Sequence, residues 1–294
     1  MDSTDRHGSS VIETLADIYR QLFVAPGPGA GEKYLDIVER GQEPKRRDLS
    51  HFITSDEDSI THEETPAGTV TIITLGRRED FVTFLRIMAN RCEPVDIPET
   101  QGASILDGVI NWRKIERHME EFMKSPGREK DATRAWNEEF RSFTAEKRNY
   151  RDTLIILSTG PYSAIPASRI GVPEDEWRAL SGKIRKYHEC THFICRNLYP
   201  DKIDAVWDEL VADAAGITAA FGRFDPEMEK IFLGIDRDRY TGGRLENYAE
   251  VDAELTETVL KVLENFSRIA ADHPKAGPYE LAVQFEEAMD VIWK

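Results

Sequence analysis

The sequence predicts an α+β fold, with a small mixed sheet and helices in residues 1–170 and an all-helical part in residues 171–294. Two observations lead to this prediction. The segments rich in β-branched residues all lie before residue 161, whereas the apolar residues after residue 171 recur at helical spacing. A chain of 294 residues accommodates either two domains or one composite domain.

The first 170 residues alternate between helical and strand patterns. Apolar side chains at helical spacing predict helices, and β-branched runs bounded by glycine or polar residues predict strands. Segment 41–67 is polar and acidic, so we expect it to be irregular, and segment 161–171 indicates a loop. The predicted helices are 10–23, 33–40, 78–91, 114–125 and 131–149, and the predicted strands are Gly68–Leu75, Gly102–Trp112 and Asp152–Gly160.

From residue 173 onward the sequence predicts helices and no strand. Pro173 stands at the favoured first position of a helix, and the apolar pattern continues to about Leu198. The predicted helices are 173–198, 201–221, 226–233, 246–272 and 278–293.

The net charge of the chain limits the classes of partner that the protein can bind. The formal net charge is −16, and a surface this acidic repels nucleic acid and anionic lipid headgroups. The composition therefore favours a small-molecule or protein substrate and argues against nucleic acid or a membrane as a partner.

Cysteine usage and the N-terminal segment predict a cytoplasmic protein. The three cysteines cannot all pair, so they do not form a disulfide framework. The N-terminal residues contain no apolar signal segment, and no run approaches the ~18 apolar residues of a membrane span.

The motif H-E-x-x-H occurs at His188, Glu189 and His192, inside the predicted helix 173–198. Residues four apart on a helix have Cβ atoms about 5–6 Å apart, so both imidazoles can bind one metal ion. Glu189 is rotated by roughly 100° from His188, which puts its carboxylate beside the metal instead of on it. That is the position of a general base that takes a proton from a metal-activated water.

The next predicted helix supplies the third ligand. Glu209 and Asp213 lie on one of its faces, and small residues such as Gly216 allow close packing against the preceding helix. Glu209 would then bind the metal, and Asp213 would accept a hydrogen bond from the other nitrogen of a ligand imidazole. Cys195 lies about 10.5 Å along the helix from the first histidine, too far for a thiol. We expect it and Cys190 to be buried apolar residues.

With Glu209-x-x-x-Asp213 following H-E-x-x-H, the stretch 186–216 resembles the gluzincin branch of the zincin metallopeptidases. The resemblance implies a Zn²⁺ ion held by two histidines and one glutamate, with an aspartate behind a histidine. It also implies an upstream sheet whose edge strand binds an extended peptide, and the strands ending near Trp112 and Ser158 are candidates. The third histidine of the metzincin motif is absent from this stretch.

The same resemblance implies a downstream donor that stabilises the oxyanion. Tyr240, Arg244 and Tyr248 surround a Gly-Gly pair, and a mobile glycine loop that carries a phenol and a guanidinium suits that role. Tyr240 and Arg244 are therefore the candidate catalytic residues beside Glu189.

These residues predict a hydrolase, namely a zinc metallopeptidase in which Glu189 takes a proton from water and passes it to the leaving amine. The alternative is a non-catalytic, metal-stabilised zincin-like protein with an interaction or regulatory role, in which a fourth protein group closes the metal site. The sequence leaves the cleavage specificity and the oligomeric state open.

Overall fold

The structure is a computed structural model that describes residues 9–124, 132–202 and 204–293. Within these residues the chain is an α+β protein with eleven α-helices, a four-stranded sheet and a two-stranded sheet, which confirms the predicted fold class. The helices are α1 (Val11–Ile18), α2 (Gly31–Val38), α3 (Arg78–Met88), α4 (Trp112–Met123), α5 (Ala132–Ala145), α6 (Ala167–Ile170), α7 (Glu174–Leu198), α8 (Ala205–Phe221), α9 (Pro226–Leu233), α10 (Ala253–Asp272) and α11 (Pro278–Ile292). The strands are β1 (Ser59–Thr65), β2 (Gly68–Leu75), β3 (Ala103–Ile110), β4 (Arg151–Ser158), β5 (Ile235–Asp236) and β6 (Arg239–Tyr240).

One strand lies where the sequence predicts irregular chain. β1 occupies the acidic segment 41–67, and Pro66 and Ala67 join it to β2. A two-residue connection makes the two strands antiparallel. Every residue of β1 is exposed or half-buried, so its polar sequence lacks the apolar alternation that signals a strand. It lies at one edge of the order β1-β2-β4-β3, where charged side chains are common.

The C-terminal half is helical apart from a short hairpin that the sequence does not predict. β5 and β6 pair antiparallel, with Ile235 opposite Tyr240. Arg237 and Asp238 form the turn at positive φ, as two-residue hairpin turns require. Strands of two residues are too short to produce a period-two pattern, which is why the prediction of no strand is wrong here.

The ends of α7 and α8 have local causes. α7 begins with three acidic residues in its first turn, which favours a helix N-terminus. α8 begins after Asp204, whose carboxylate accepts hydrogen bonds from two backbone N–H groups of the first turn. The predicted start of that helix at residue 201 is therefore too early. Ile203 lies outside the described residues, and so do residue 125, where one helix is predicted to end, and residue 131, where the next is predicted to begin. No described helix combines the length and apolar composition that a membrane span requires.

The chain forms two compact units that are discontinuous in sequence. The first comprises Met1–Ile60, Ile73–Ile97 and Leu106–Leu154, and the second comprises Thr61–Ile72, Pro98–Ile105 and Ile155–Lys294. The division at residue 170 stays a prediction. In the second unit, α8, α10 and α11 enclose an apolar core that includes Trp207 and Phe266. All residues of the candidate site described below belong to this second unit.

α7 and α8 approach each other closely at Gly216. A Cβ atom at this position would lie 2.8 Å from the backbone oxygen of Ile184 and 2.9 Å from its Cγ2 atom. Such distances leave no room for a side chain without a shift of one helix. The small residue predicted to permit close packing is therefore required where α8 brings its acidic face to α7.

Replacing Gly216 by Ala is expected to lower the free energy of unfolding by about 1–3 kcal/mol, because overpacking outweighs the ~1 kcal/mol gain in helix propensity. Urea unfolding measures the change. Gly182→Ala is the matched control, since Gly182 lies in α7 and a Cβ there meets no atom within 4 Å. We expect the control to be neutral or stabilising, and equal effects of the two substitutions would contradict the close approach.

The two cysteines of α7 are buried, as expected, and neither belongs to the metal-ligand cluster described below. The Cys195 thiol donates a hydrogen bond to Glu286 Oε1 at 3.3 Å. Glu286 itself is fully buried in α11, and its second oxygen has no hydrogen-bond partner. Burial raises the pKa of Glu286 to about 7.

The folded state should therefore hold a proton on Glu286 between pH 4.5 and 7 that the unfolded chain has lost. Stability then falls as pH rises through this window, by an amount on the order of 2–3 kcal/mol between pH 5 and pH 8. In Glu286→Gln the amide cannot ionise, so we expect a flatter dependence of the unfolding free energy on pH. Urea unfolding of both proteins from pH 5 to pH 8 checks this, and parallel curves would refute it.

Candidate metal centre

Three side chains from α7 and α8 converge on one point. His188 and His192 come from α7 and Glu209 from α8, and each offers a ligand atom within 4.8 Å of the other two. The two Nε2 atoms are 3.0 Å apart. Glu209 places Oε2 3.4 Å from His188 Nε2 and Oε1 3.3 Å from His192 Nε2.

These separations fit a zinc ion. Ligand atoms at 2.0–2.1 Å from a tetrahedral metal are about 3.3–3.4 Å from one another. The Glu209 oxygen nearest His188 is buried, has no hydrogen-bond partner among the described residues, and has the Arg244 guanidinium only at the 4.0 Å limit of an ion pair. A buried carboxylate oxygen without a donor is costly unless a cation or an unseen donor satisfies it. The three residues therefore suit a metal ion by both distance and chemistry.

Asp213 lies behind the first histidine, as predicted. Its Oδ1 atom is 2.9 Å from His188 Nδ1, so the imidazole can donate its Nδ1 proton and leave the Nε2 lone pair facing Glu209. Asp213 is fully buried and also forms an ion pair with Arg244. The Tyr162 hydroxyl completes the cluster, since it donates to Asp213 Oδ1 at 2.6 Å and accepts from Arg244 at 2.8 Å.

Burial sets the charge states of the ligands. It lowers the pKa of His188 to about 3, so this imidazole is neutral, which is the form that binds metals. Burial also lowers the pKa of His192, but the adjacent Glu209 outweighs it and raises that pKa above its ordinary value. When no metal is bound, the His192 imidazole can therefore carry a proton in the position that the metal would occupy. Burial disfavours the charged form of Glu209, but the two histidines and Arg244 outweigh burial and hold the pKa of Glu209 well below its usual range.

A cavity of about 850 Å³ lies next to the three ligands. Its wall comprises residues of segments 98–105 and 162–169, parts of 231–248, and the ligand faces of α7 and α8. Glu189 also lines it, half-buried, with no hydrogen bond or ion pair from its carboxylate to any described residue. A free carboxylate next to a candidate metal position is available to accept a proton.

The three downstream candidates occupy different places. Tyr240 is not brought to the site, because its hydroxyl donates to Glu246 and accepts from the Gly243 N–H group. Arg244 lines the cavity, but its guanidinium binds the acid and phenol behind the ligands. Tyr248 also lines the cavity and lies beside Glu209. Burial raises the pKa of Tyr248, so it stays a protonated donor.

Close backbone packing positions the loop that carries Arg244. Gly234 has φ of +85°, and a Cβ there would lie 2.4 Å from the carbonyl oxygen of Gly242. Any side chain at Gly234 would displace this loop and, with it, the Arg244 guanidinium. Gly242 and Gly243 thus allow the loop to pack closely against the end of α9, a role that the sequence alone does not reveal.

Sequence reasoning missed Tyr162. It lies in segment 161–171, which the sequence indicates to be a loop, two residues after the predicted strand Asp152–Gly160. This position directly after a strand was the one sequence feature that pointed to a role in the site, and it was a weak one. It is buried, and its hydroxyl lies 2.9 Å from His188 Nδ1 as well as contacting Asp213 and Arg244.

Replacing Tyr162 by Phe is expected to weaken zinc binding about 10–100-fold, the usual effect of losing a group that orients a metal ligand. Competition with a fluorescent zinc chelator measures the affinity. Tyr240→Phe is the matched control because its hydroxyl bonds only within its own loop. Unchanged affinity in Tyr162→Phe would show that the hydroxyl does not orient His188.

The comparisons with known proteins identify the family of the chain but assign it no function. No curated protein and no solved structure matches the chain significantly. A sequence model described as "Family of unknown function (DUF7005)" matches residues 3–290. The match covers nearly the whole chain, and this protein therefore belongs to the family DUF7005.

Proposed function

We propose that this protein is a zinc-dependent metallopeptidase of the gluzincin type. The observation that carries the proposal is the convergence of His188, His192 and Glu209 within 4.8 Å, beside a free Glu189 carboxylate in an 850 Å³ cavity. A bound zinc ion would act as a Lewis acid and lower the pKa of a coordinated water toward about 7.

An enzyme is favoured over a structural metal site by the number of ligands. Structural zinc sites are closed by four protein groups, whereas catalytic sites have three and leave a position open. Among the described residues the cluster contains three candidate ligands, and these border a cavity. This arrangement argues against the non-catalytic alternative.

The proposed roles follow from the positions of the side chains. Glu189 accepts a proton from the attacking water and delivers it to the leaving amine. Tyr248 is a better oxyanion donor than Tyr240, because it lines the cavity whereas the Tyr240 hydroxyl bonds within its own loop. Arg244 orients the ligands through Asp213 and Tyr162, and its charge supports the ionised state of Glu209.

The edge strand β3 is the proposed peptide-binding strand. Of the two candidate strands, β4 lies inside the sheet order and β3 lies at its edge. Residues Ala103 to Ile105 of β3 line the same cavity as the metal ligands. An extended peptide can therefore pair with free backbone groups near the reaction site.

The experiment is metal analysis combined with a peptide-library cleavage assay read by mass spectrometry. We expect about one zinc per chain, cleavage that stops on chelation, and recovery when zinc is restored. A chain that binds zinc in the assay buffer and cleaves no peptide would reject the peptidase and favour the non-catalytic alternative.

A further inference from the structure

The candidate site lies in a cavity that lacks the acidic excess of the protein as a whole. The chain carries a formal charge of −16, yet the four arginines of the cavity wall offset its three glutamates and the buried Asp213 that pairs with Arg244, so that a divalent metal would make the cavity cationic. A low-dielectric cavity with a net charge concentrates ligands of the opposite sign. The cavity therefore favours an anionic ligand.

Two of the four arginines are already engaged. Arg185 is buried and donates to backbone oxygens of segment 158–161. Arg244 binds Asp213 and Tyr162. Both guanidinium groups have structural partners, so neither is the first choice for a substrate.

The other two arginines, Arg169 and Arg196, are exposed at the cavity. Among the described residues, neither guanidinium has a carboxylate oxygen within 4 Å, the distance limit for an ion pair. Arg196 acts electrostatically on Asp208, which is half-buried on α8, without forming a direct ion pair with it. Both guanidinium groups are therefore available to bind a carboxylate of a ligand.

Helix geometry selects Arg196. It follows His192 by four residues on α7, so the two side chains are neighbours on one face, about 6 Å apart along the axis. This 25-residue helix fixes the distance from the metal ligands to Arg196, whereas Arg169 lies on the four-residue helix α6. An extended peptide advances about 3.3 Å per residue, so a carboxylate on Arg196 belongs to a residue one or two positions from the reacting carbonyl.

We infer that the substrate is an acidic peptide and that Arg196 binds its carboxylate, within two residues of the scissile bond. The inference rests on the proposed peptidase function and specifies its substrate class. The carboxylate is either a Glu or Asp side chain or the C-terminus of the peptide. Arginine suits both because its planar guanidinium forms paired hydrogen bonds with a carboxylate.

The test uses binding instead of turnover. Four short peptide hydroxamates, which carry either Glu or Gln and end in either a carboxylate or an amide, are titrated into the zinc-loaded full-length chain by calorimetry. We expect one acidic form to bind about 10–100-fold more tightly than its amide counterpart. The Glu–Gln pair reports a side-chain carboxylate, and the two termini report a C-terminal one.

Arg196→Gln is expected to reduce that preference to within about twofold, the scatter of near-neutral contacts. Arg223→Gln is the matched control, since Arg223 is exposed, does not line the cavity and changes the net charge equally. Equal binding of acid and amide forms by the unmodified chain would overturn the inference. So would a preference that survives Arg196→Gln or is lost only in Arg169→Gln.

The failure of the proposed function gives a different pattern. A chain that takes up no zinc should bind none of the four hydroxamates, and this result would reject the peptidase and the inference together. Zinc uptake with equal hydroxamate affinities rejects the acidic-substrate inference alone.

Discussion

Glu189→Gln is expected to lower peptide hydrolysis by about 10²–10⁴-fold, the range attributed to a general acid–base group. The amide has the shape of the carboxylate but cannot take a proton from water. Because Glu189 is not among the three clustered ligands, zinc content and thermal stability should remain those of the unmodified protein. Turnover of a cleaved library peptide, zinc analysis and a melting curve measure the three quantities.

Glu246→Gln is the matched control for this substitution. Glu246 lines the same cavity, yet its carboxylate accepts a hydrogen bond from Tyr240 and lies outside the ligand cluster. We expect the control to retain activity within a few fold of the unmodified chain. If Glu189→Gln retained full activity with zinc bound, Glu189 would not be the base, and another cavity group would have to accept the proton.

Local spacing predicted the centre of the site. The i, i+4 pair of histidines and the i, i+4 pair of acids each fix their relation through helix geometry alone. Gly216 was the sequence feature that allowed the two helices to meet, and its contact with Ile184 shows the reason. The side chains lie close together as expected because their placement depends on neighbours within one helix and on one short connection, whereas their role as metal ligands stays a prediction.

Residues that reach the site from distant loops were harder to predict. Tyr162 lies 26 positions from the imidazole that it contacts, and no periodicity connects the two. Among the downstream residues, spacing could not separate Tyr240, which bonds within its own hairpin and loop, from Tyr248, which lines the cavity. Tertiary packing of Gly234 against the loop makes that distinction.

Strand prediction failed for a related reason. β1 is an edge strand without buried residues, and its strand conformation derives from pairing with β2 instead of from burial. β5 and β6 have two residues each, so their hairpin derives from its turn. A sequence pattern reports burial, and these elements are held mainly by backbone pairing.

Glu209→Gln is expected to reduce zinc affinity by roughly 10³-fold, more than the 10–100-fold typical of groups behind the ligands. The carboxylate is the one anionic ligand of the cluster, and both of its oxygens lie within 3.4 Å of a ligand nitrogen. The amide keeps the size of the side chain, so packing between α7 and α8 should persist. Competition with a chelator gives the affinity directly.

Thermal unfolding gives a second and independent measure of the same substitution. At zinc concentrations 100 times the dissociation constant, the unmodified chain gains about 2.7 kcal/mol, which raises Tm by roughly 5–10 °C. At the same concentration a 10³-fold weaker site gains less than about 0.1 kcal/mol, so Glu209→Gln should show no zinc-dependent shift. Glu246→Gln should keep the full shift, because that carboxylate is outside the cluster. A zinc-dependent shift of equal size in both variants would place the metal elsewhere in the chain and remove the basis for the peptidase.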